Sequence, residues 1–267
     1  MSHWGNAFQG GHFRHNNFRG GWGNNHVHQG GGFNHNRAHG GWGNDSFSQR
    51  GHNNLNQAFG GPGRDRFSQG GIGNRNRAYG GRGNDAFGQG GRFNDNYASG
   101  GSGRDRFSQG GLGNRNRAYG GRGNDAFSQG GRFNNNYANG GSGRDRFSQG
   151  GLGNVNRADG GRGNDVFSQG GVNNRNIANG GSGNDRFNIG GRGNTTTANG
   201  GSGRDTFNVG GQGNRVNVNG GSGYDTLNLN GQQSDWARSG NKGNYSYYNA
   251  STNTRVNARG IEQVNYQ

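Results

Sequence analysis

The sequence predicts an all-β fold, a parallel β-solenoid or β-roll with twenty-residue coils, each made of two ten-residue half-turns. Glycine pairs recur every ten residues from Gly10-Gly11 to Gly220-Gly221, and only Arg50-Gly51 departs from the pattern. The residues between the pairs alternate between polar and apolar, as in a short strand. Neighbouring ten-residue segments differ in sequence whereas every second segment matches, so the full repeat has twenty residues. A unit this small cannot bury its own apolar side chains, so it must stack on its neighbours.

The two half-turns have different sequences, and strand alternation assigns their side chains to the inside or the outside. Residues 120–129 exemplify the half GGxGxDxFxQ, and residues 110–119 exemplify the half GGxGNxNxAx. In the second half we expect Asn114, Asn116 and Ala118 inside, because the opposite choice would bury Arg115 and Arg117 without partners. In the first half the inward row is Phe47, Phe67, Phe87, Phe107, Phe127, Phe147, Phe167, Phe187, Phe207 and Leu227.

Composition restricts the class of protein. The 66 glycines and the mean hydropathy of −1.24 are typical of disordered chains, but disorder does not require a repeat that keeps phase. Collagen is excluded, because the glycines come in pairs and there is one proline. Without cysteine there are no disulfides and no thiolate metal sites. No apolar run is long enough to span a membrane, and the first residues lack the pattern of a cleaved signal peptide.

The net charge of +15 is carried almost entirely by arginine, with one lysine in the chain. This charge predicts either a solvated basic surface or affinity for an anionic polymer such as acidic polysaccharide or lipopolysaccharide. Nucleic acid would be bound only non-specifically. No nucleophile, base and acid are grouped in the sequence, so we do not expect an enzyme.

The repeat pattern divides the chain into three segments. Residues 1–39 form N-terminal coils or a cap rich in histidine and tryptophan, residues 40–230 form the regular solenoid, and residues 231–267 form a C-terminal cap and tail. All eight histidines lie in the first 52 residues. His26 and His28 share a strand face, which suits either a transition-metal pair or plain polar capping.

The half-repeat GGxGxDx(F/L) resembles the calcium-binding repeat of RTX (repeats-in-toxin) proteins, as in residues 180–188, 200–208 and 220–228. The resemblance implies Ca²⁺ held between successive loops and type I secretion directed by an uncleaved C-terminal signal. Here the repeat has ten residues rather than nine, and aspartate recurs only in alternate loops. The alternative is an Asx turn, in which each aspartate caps its own backbone. The implied calcium ligands are Asp45, Asp65, Asp85, Asp105, Asp125, Asp145, Asp165, Asp185, Asp205 and Asp225.

A second resemblance is to curlin, the subunit of bacterial amyloid fibres, whose repeat contains QxGxGN. Residues 69–74 and 109–114 fit that pattern. The alanine that follows in curlin is displaced by two residues here. The resemblance implies a cross-β fibre with polar ladders and stacked aromatic rings.

These observations together predict a secreted structural protein. We expect a calcium-stabilised, RTX-like solenoid at the cell surface or in a biofilm matrix, exported without an N-terminal signal peptide. It would self-associate end to end into fibres, its N-terminal coils meeting Trp236, Tyr245, Tyr247 and Tyr248 of the next copy. The alternatives are a curlin-like amyloid and an adhesin or ice-binding module.

Overall fold

The computed structural model of the chain describes residues 5–241 and 243–267 and confirms the parallel β-solenoid with coils of twenty residues. The chain forms two compact units, Met1–Ala138 and Asn139–Gln267. In each unit the strands alternate between two sheets, so that every coil contributes one strand to each sheet. One short 3₁₀ helix, Gln233–Asp235, is the helical element among the described residues, and none of these residues forms a helix able to cross a membrane.

The first unit stacks its strands in parallel in both sheets. The strands of its first sheet are β1 Gly5–Gln9, β3 Asn25–Gln29, β5 Ser46–Gln49, β7 Arg66–Gln69, β9 Ala86–Gln89, β11 Arg106–Gln109 and β13 Ala126–Gln129. Those of its second sheet are β2 His15–Arg19, β4 His35–His39, β6 Leu55–Pro62, β8 Arg75–Arg82, β10 Asp95–Ser102, β12 Arg115–Arg122 and β14 Asn135–Ser142, the last of which crosses the unit boundary.

The second unit continues the same scheme and ends in an antiparallel ribbon. The strands of its first sheet are β15 Arg146–Gln149, β17 Val166–Gln169, β19 Arg186–Ile189, β21 Thr206–Val209, β23 Thr226–Leu229 and β27 Gln263–Tyr266. Those of its second sheet are β16 Val155–Arg162, β18 Arg175–Ser182, β20 Thr195–Gly203, β22 Arg215–Gly223, β26 Thr254–Arg259, β25 Asn244–Asn249 and β24 Trp236–Asn241.

The core is a stack of identical side chains, because the register pairs residues twenty positions apart. The predicted phenylalanine row is confirmed: Phe87, Phe107 and Phe127 are each 2% exposed, and their ring centroids lie 4.7–4.8 Å apart with interplanar angles of 3–4°. The facing Ala118 is fully buried. Arg115 is exposed, as the inside and outside assignment requires.

Polar ladders complete the core and join the two sheets. In the second sheet the side chain of Asn96 donates to Asn116 Oδ1 at 2.7 Å. In the first sheet Gln89 Nε2 donates to Gln69 Oε1 at 2.7 Å and to the carbonyl of Tyr97 in the opposite sheet at 2.8 Å. The buried amide N–H₂ groups of Gln89 and Asn96 therefore have acceptors within the stack, whereas Gln169 Oε1 has no donor because the next position of the row is Ile189.

The C-terminal ribbon corrects one expectation about the aromatic residues of the tail. Trp236 is 6% exposed and Tyr247 is 1% exposed, so both are buried within their own unit. Trp236 Nε1 also donates to the carbonyl of Asn230 at 3.1 Å. These two rings complete the C-terminal cap and are not available to a second copy, whereas Tyr248 is 37% exposed.

Candidate functional site

The repeated aspartates form a buried row at one edge of the solenoid. Each lies in the turn that precedes a strand of the first sheet, and all ten are at most 2% exposed. In the first unit the row consists of Asp45, Asp65, Asp85, Asp105 and Asp125, and in the second of Asp145, Asp165, Asp185, Asp205 and Asp225. The structure thus places one carboxyl group at the predicted edge in each of ten successive coils, after Gly5 and Asn25 in the first two.

One oxygen of each carboxyl group in the first unit binds the backbone of the preceding coil. Asp105 Oδ1 accepts the amide N–H of Asp85 at 2.7 Å, and Asp125 Oδ1 accepts the amide of Asp105 at 2.8 Å. The second unit repeats the contact, with Asp205 Oδ1 accepting the amide of Asp185 at 2.8 Å. The Asx-turn alternative is therefore wrong in its partner, because the side chain caps the neighbouring coil rather than its own turn.

The other oxygen, Oδ2, has no hydrogen-bond partner in any of the ten aspartates. It lies against the first glycine of the preceding pair: a Cβ atom on Gly100 would come within 2.0 Å of Asp105 Oδ2. This contact explains the glycine at that position, since any side chain there would collide with the carboxyl group. A buried polar atom without a hydrogen-bond partner lowers the free energy of unfolding. Oδ2 is therefore the atom of the coil at which a further ligand or proton would be stabilising.

Asparagine at equivalent positions shows what surrounds Oδ2. Asn25 begins the aspartate row, and its Nδ2 donates to the carbonyls of Gly23 at 3.0 Å and Gly40 at 3.1 Å. On the opposite edge, Asn94 Nδ2 likewise donates to the carbonyls of Gly71 at 3.1 Å and Gly90 at 2.5 Å. An aspartate Oδ2 in this position is an oxygen facing carbonyl oxygens. A proton or a cation is needed to make that contact favourable.

Burial raises the pKa of these carboxyl groups. In the first unit, loss of hydration raises the pKa of Asp65, Asp85 and Asp125 to about 7 and that of Asp105 to about 6. The hydrogen bond that the carboxyl group accepts from a backbone N–H opposes this shift. In the second unit the pKa of Asp205 rises to about 7 for the same reason.

The oxygen atoms at the aspartate row can be compared with the coordination that the implied Ca²⁺ requires. Oδ2 is a hard oxygen ligand of the kind that Ca²⁺ prefers, but Oδ1 already accepts a backbone amide, the carbonyl of Gly60 at this edge accepts the amide of Gly41, and Ca²⁺ takes six to eight oxygens. Over residues 5–241 and 243–267, no point gathers three or more His, Cys, Asp or Glu side chains. An ion would have to be shared between coils and completed by backbone carbonyls. Calcium at the aspartate row stays a prediction.

The structure confirms that the predicted pair shares one strand face, and it brings a second pair of histidines together. His26 and His28 are exposed on the outer face of β3, and their metal binding stays a prediction. The structure brings together His12 and His52, whose ring centroids lie 5.7 Å apart above Gly32. Sequence reasoning missed this pair because forty residues separate its members, although the coil period places them two rungs apart.

Comparisons with known proteins do not identify a family. No protein-family model matches the chain, and no curated protein is significantly similar to it. The function is therefore inferred from the coil geometry and its exposed surfaces.

Proposed function

We propose that the chain is an exported structural protein that builds cell-surface or matrix fibres by adding copies end to end through β-strand pairing. The observation that supports this proposal is the partial exposure of the inward-facing side chains in the first and last strands of the first sheet. The inward row that is at most 2% exposed at Phe87, Phe107 and Phe127 ends at Ala7 and Val264, which are both partly exposed. Another coil at either end would bury these positions.

The N-terminal edge has amides suited to strand addition. The carbonyl of Gln9 accepts the amide of Gly30, and the carbonyl of Arg14 accepts the amide of His35. Because bonding residues alternate along a parallel strand, the N–H groups of Phe8 and Asn17 point away from the sheets. No strand lies beyond β1 and β2 among the residues that the structure describes. Either strand edge could accept an incoming strand, as in β-augmentation.

The C-terminal end supplies a matching surface in one sheet. Strand β27 ends the first sheet, whereas the ribbon of β25 and β24 covers β26 in the second sheet. We therefore place the joint at β27 of one copy and β1 of the next, and not at Trp236 and Tyr247. A head-to-tail contact of this kind does not close on itself and produces a fibre. Calcium at the aspartate row would stabilise each subunit, and the RTX resemblance supports export.

A double proline variant tests the proposal. Phe8→Pro with Asn17→Pro removes two outward N–H groups and leaves the subunit's own ladder bonds in place. We expect wild-type fibres in negative-stain electron micrographs and folded, unassembled double-proline protein under the same conditions. The control is Phe8→Thr with Asn17→Thr, which retains both amides and should still assemble. Equal assembly of the two variants, or a wild type that stays monomeric at high concentration, would contradict the proposal.

A curlin-like amyloid is the second candidate, and it is favoured by the stacked phenylalanines and the glutamine and asparagine ladders. The two candidates differ in the state of the subunit before assembly. A solenoid subunit has its full β-sheet circular dichroism as a monomer, whereas an amyloid subunit acquires it during assembly. Circular dichroism recorded before and after fibre growth separates them.

A further inference from the structure

The edge opposite the aspartate row carries exposed aromatic side chains. In the first unit this edge consists of the loops at residues 10–14, 30–34, 50–54, 70–74, 90–94, 110–114 and 130–134, which we call the phenylalanine edge. Its large apolar side chains are mostly in water, with exposed fractions of 79% for Phe13, 48% for Phe33, 53% for Ile72, 67% for Phe93 and 64% for Phe133. Clustered exposed apolar groups of this kind mark interaction surfaces in soluble proteins.

The backbone makes these phenylalanines unfavourable for folding. Phe13, Phe33, Phe93 and Phe133 all have φ between 54° and 55°. In the other loops of this edge the same position is held by Asn53 with φ 54° or by glycine, as at Gly73 with φ 67° and Gly113 with φ 64°. A bulky residue in the left-handed region is strained, and glycine relieves the strain without cost. Neither burial nor backbone preference therefore explains why phenylalanine occupies this position in four of the seven loops of the edge, and strain at an exposed site points to function.

Neighbouring groups leave the ring faces accessible. Phe13 stacks on Phe33 with centroids 5.1 Å apart. The ring of Phe93 lies over Gly113, where a Cβ atom would come within 2.9 Å of it. The rings are therefore supported from one side by the next coil, while about half or more of each residue's surface remains in solvent.

The charge of this edge identifies the kind of partner. Arg14, Arg50, Arg92 and Arg132 lie in the same loops, and these loops contain no aspartate or glutamate. Two copies of the edge placed face to face would bring arginines together, so a second copy is a poor occupant. An anionic surface with an apolar interior satisfies both groups, because arginine pairs with phosphate while phenylalanine enters the acyl boundary.

We propose that the phenylalanine edge is a docking surface for an anionic lipid layer. The arginines lie against the headgroups and the phenylalanines enter the interface, in the manner of the charged and apolar faces of an interfacial helix. The surface lies along the side of the coils and is separate from the strand edges that the fibre proposal uses. Lipid docking and assembly can therefore fail independently.

Vesicle co-sedimentation of the full chain tests the proposal. The probes are phosphatidylcholine vesicles and vesicles that also contain phosphatidylglycerol. We expect binding to the anionic vesicles and little to the neutral ones. Phe93→Gly with Phe133→Gly should lower the partition coefficient by about tenfold or more, since burying each ring contributes free energy to binding. The same variant should melt at or above the wild-type temperature, because it removes strain.

Two further variants make the test specific. Trp42 is 55% exposed in the loop at residues 40–44, which lies at the aspartate edge, so Trp42→Ser should leave vesicle binding unchanged. Arg92→Leu with Arg132→Leu, which copies Leu112 of the same row, should weaken the preference for anionic vesicles. Equal binding to both vesicle types, or undiminished binding of the Phe93 and Phe133 variant, would overturn the proposal. It would also be overturned if that variant lost self-association and kept lipid binding.

Discussion

Replacing Asp105 by asparagine should stabilise the protein at neutral and alkaline pH. The substitution leaves Oδ1 to accept the amide of Asp85 and exchanges the unpartnered Oδ2 for an N–H₂ group. By the geometry of Asn25, that group donates to two glycine carbonyls. An unsatisfied buried polar atom costs about 1–3 kcal/mol, so we expect a gain of that size in the free energy of unfolding at pH 8. For a chain of this length, each 1 kcal/mol corresponds to roughly 2–4 °C in melting temperature.

The gain should depend on pH, and the sign follows from the raised pKa. In the folded protein burial raises the pKa of Asp105 from 3.8 to about 6, so the folded state holds a proton that the unfolded state releases between these values. The stability contributed by the neutral carboxyl group is complete below pH 3.8 and is lost as the pH rises through about 6. At pH 4 Oδ2 is protonated and can donate to a carbonyl, so Asp105→Asn should change the unfolding free energy by less than about 0.5 kcal/mol.

Thermal melts followed by circular dichroism at pH 4 and pH 8, in chelator, measure both quantities. The matched control is Asn94→Asp on the opposite edge, which removes the two Nδ2 bonds to glycine carbonyls and should destabilise the protein at pH 8. An Asp105→Asn variant without any gain at pH 8, or with the same gain at both pH values, would refute the reasoning about Oδ2. A gain in chelator that becomes a loss in millimolar calcium would instead show that Oδ2 is a calcium ligand.

Other consequences concern the core, the whole row and the metal. Phe107→Ala should lower the free energy of unfolding by about 3–5 kcal/mol, because it leaves a void between two stacked rings. Arg115→Ala, at an exposed position, should lower it by less than about 1 kcal/mol. Equal losses for the two variants in urea denaturation would contradict the inside and outside assignment. The melting temperature of the wild type in chelator should fall as the pH rises from about 4 to about 7, because several aspartates have a pKa raised to about 6 or 7. If calcium binds the aspartate row, adding it at pH 8 should raise the melting temperature by mass action and release protons. An unchanged melting temperature would exclude calcium binding at the row.

Periodicity was sufficient to predict most of the fold. The ten-residue glycine pairs and strand parity placed Phe127 inside and Arg115 outside, because a coil repeated in register allows one solution for each position. The same reasoning could not show that Asp105 Oδ1 binds the preceding coil, since an Asx turn and a ladder between coils need the same residue. It also missed the burial of Trp236, because the antiparallel ribbon lies outside the repeat and is set by tertiary packing.

The inter-subunit register tests the central proposal most directly. If coils continue across the joint, Phe8 of one copy lies one rung, about 4.8 Å, from Asn265 of the next, within the range that a disulfide can bridge. The chain has no cysteine, so Phe8→Cys and Asn265→Cys can be made as separate proteins, mixed during assembly and oxidised mildly. End-to-end strand pairing predicts a disulfide-linked heterodimer in high yield, and a much lower yield when Ser128→Cys replaces Asn265→Cys as the partner. Equal yields from the two mixtures would contradict assembly through the β1 and β27 edges.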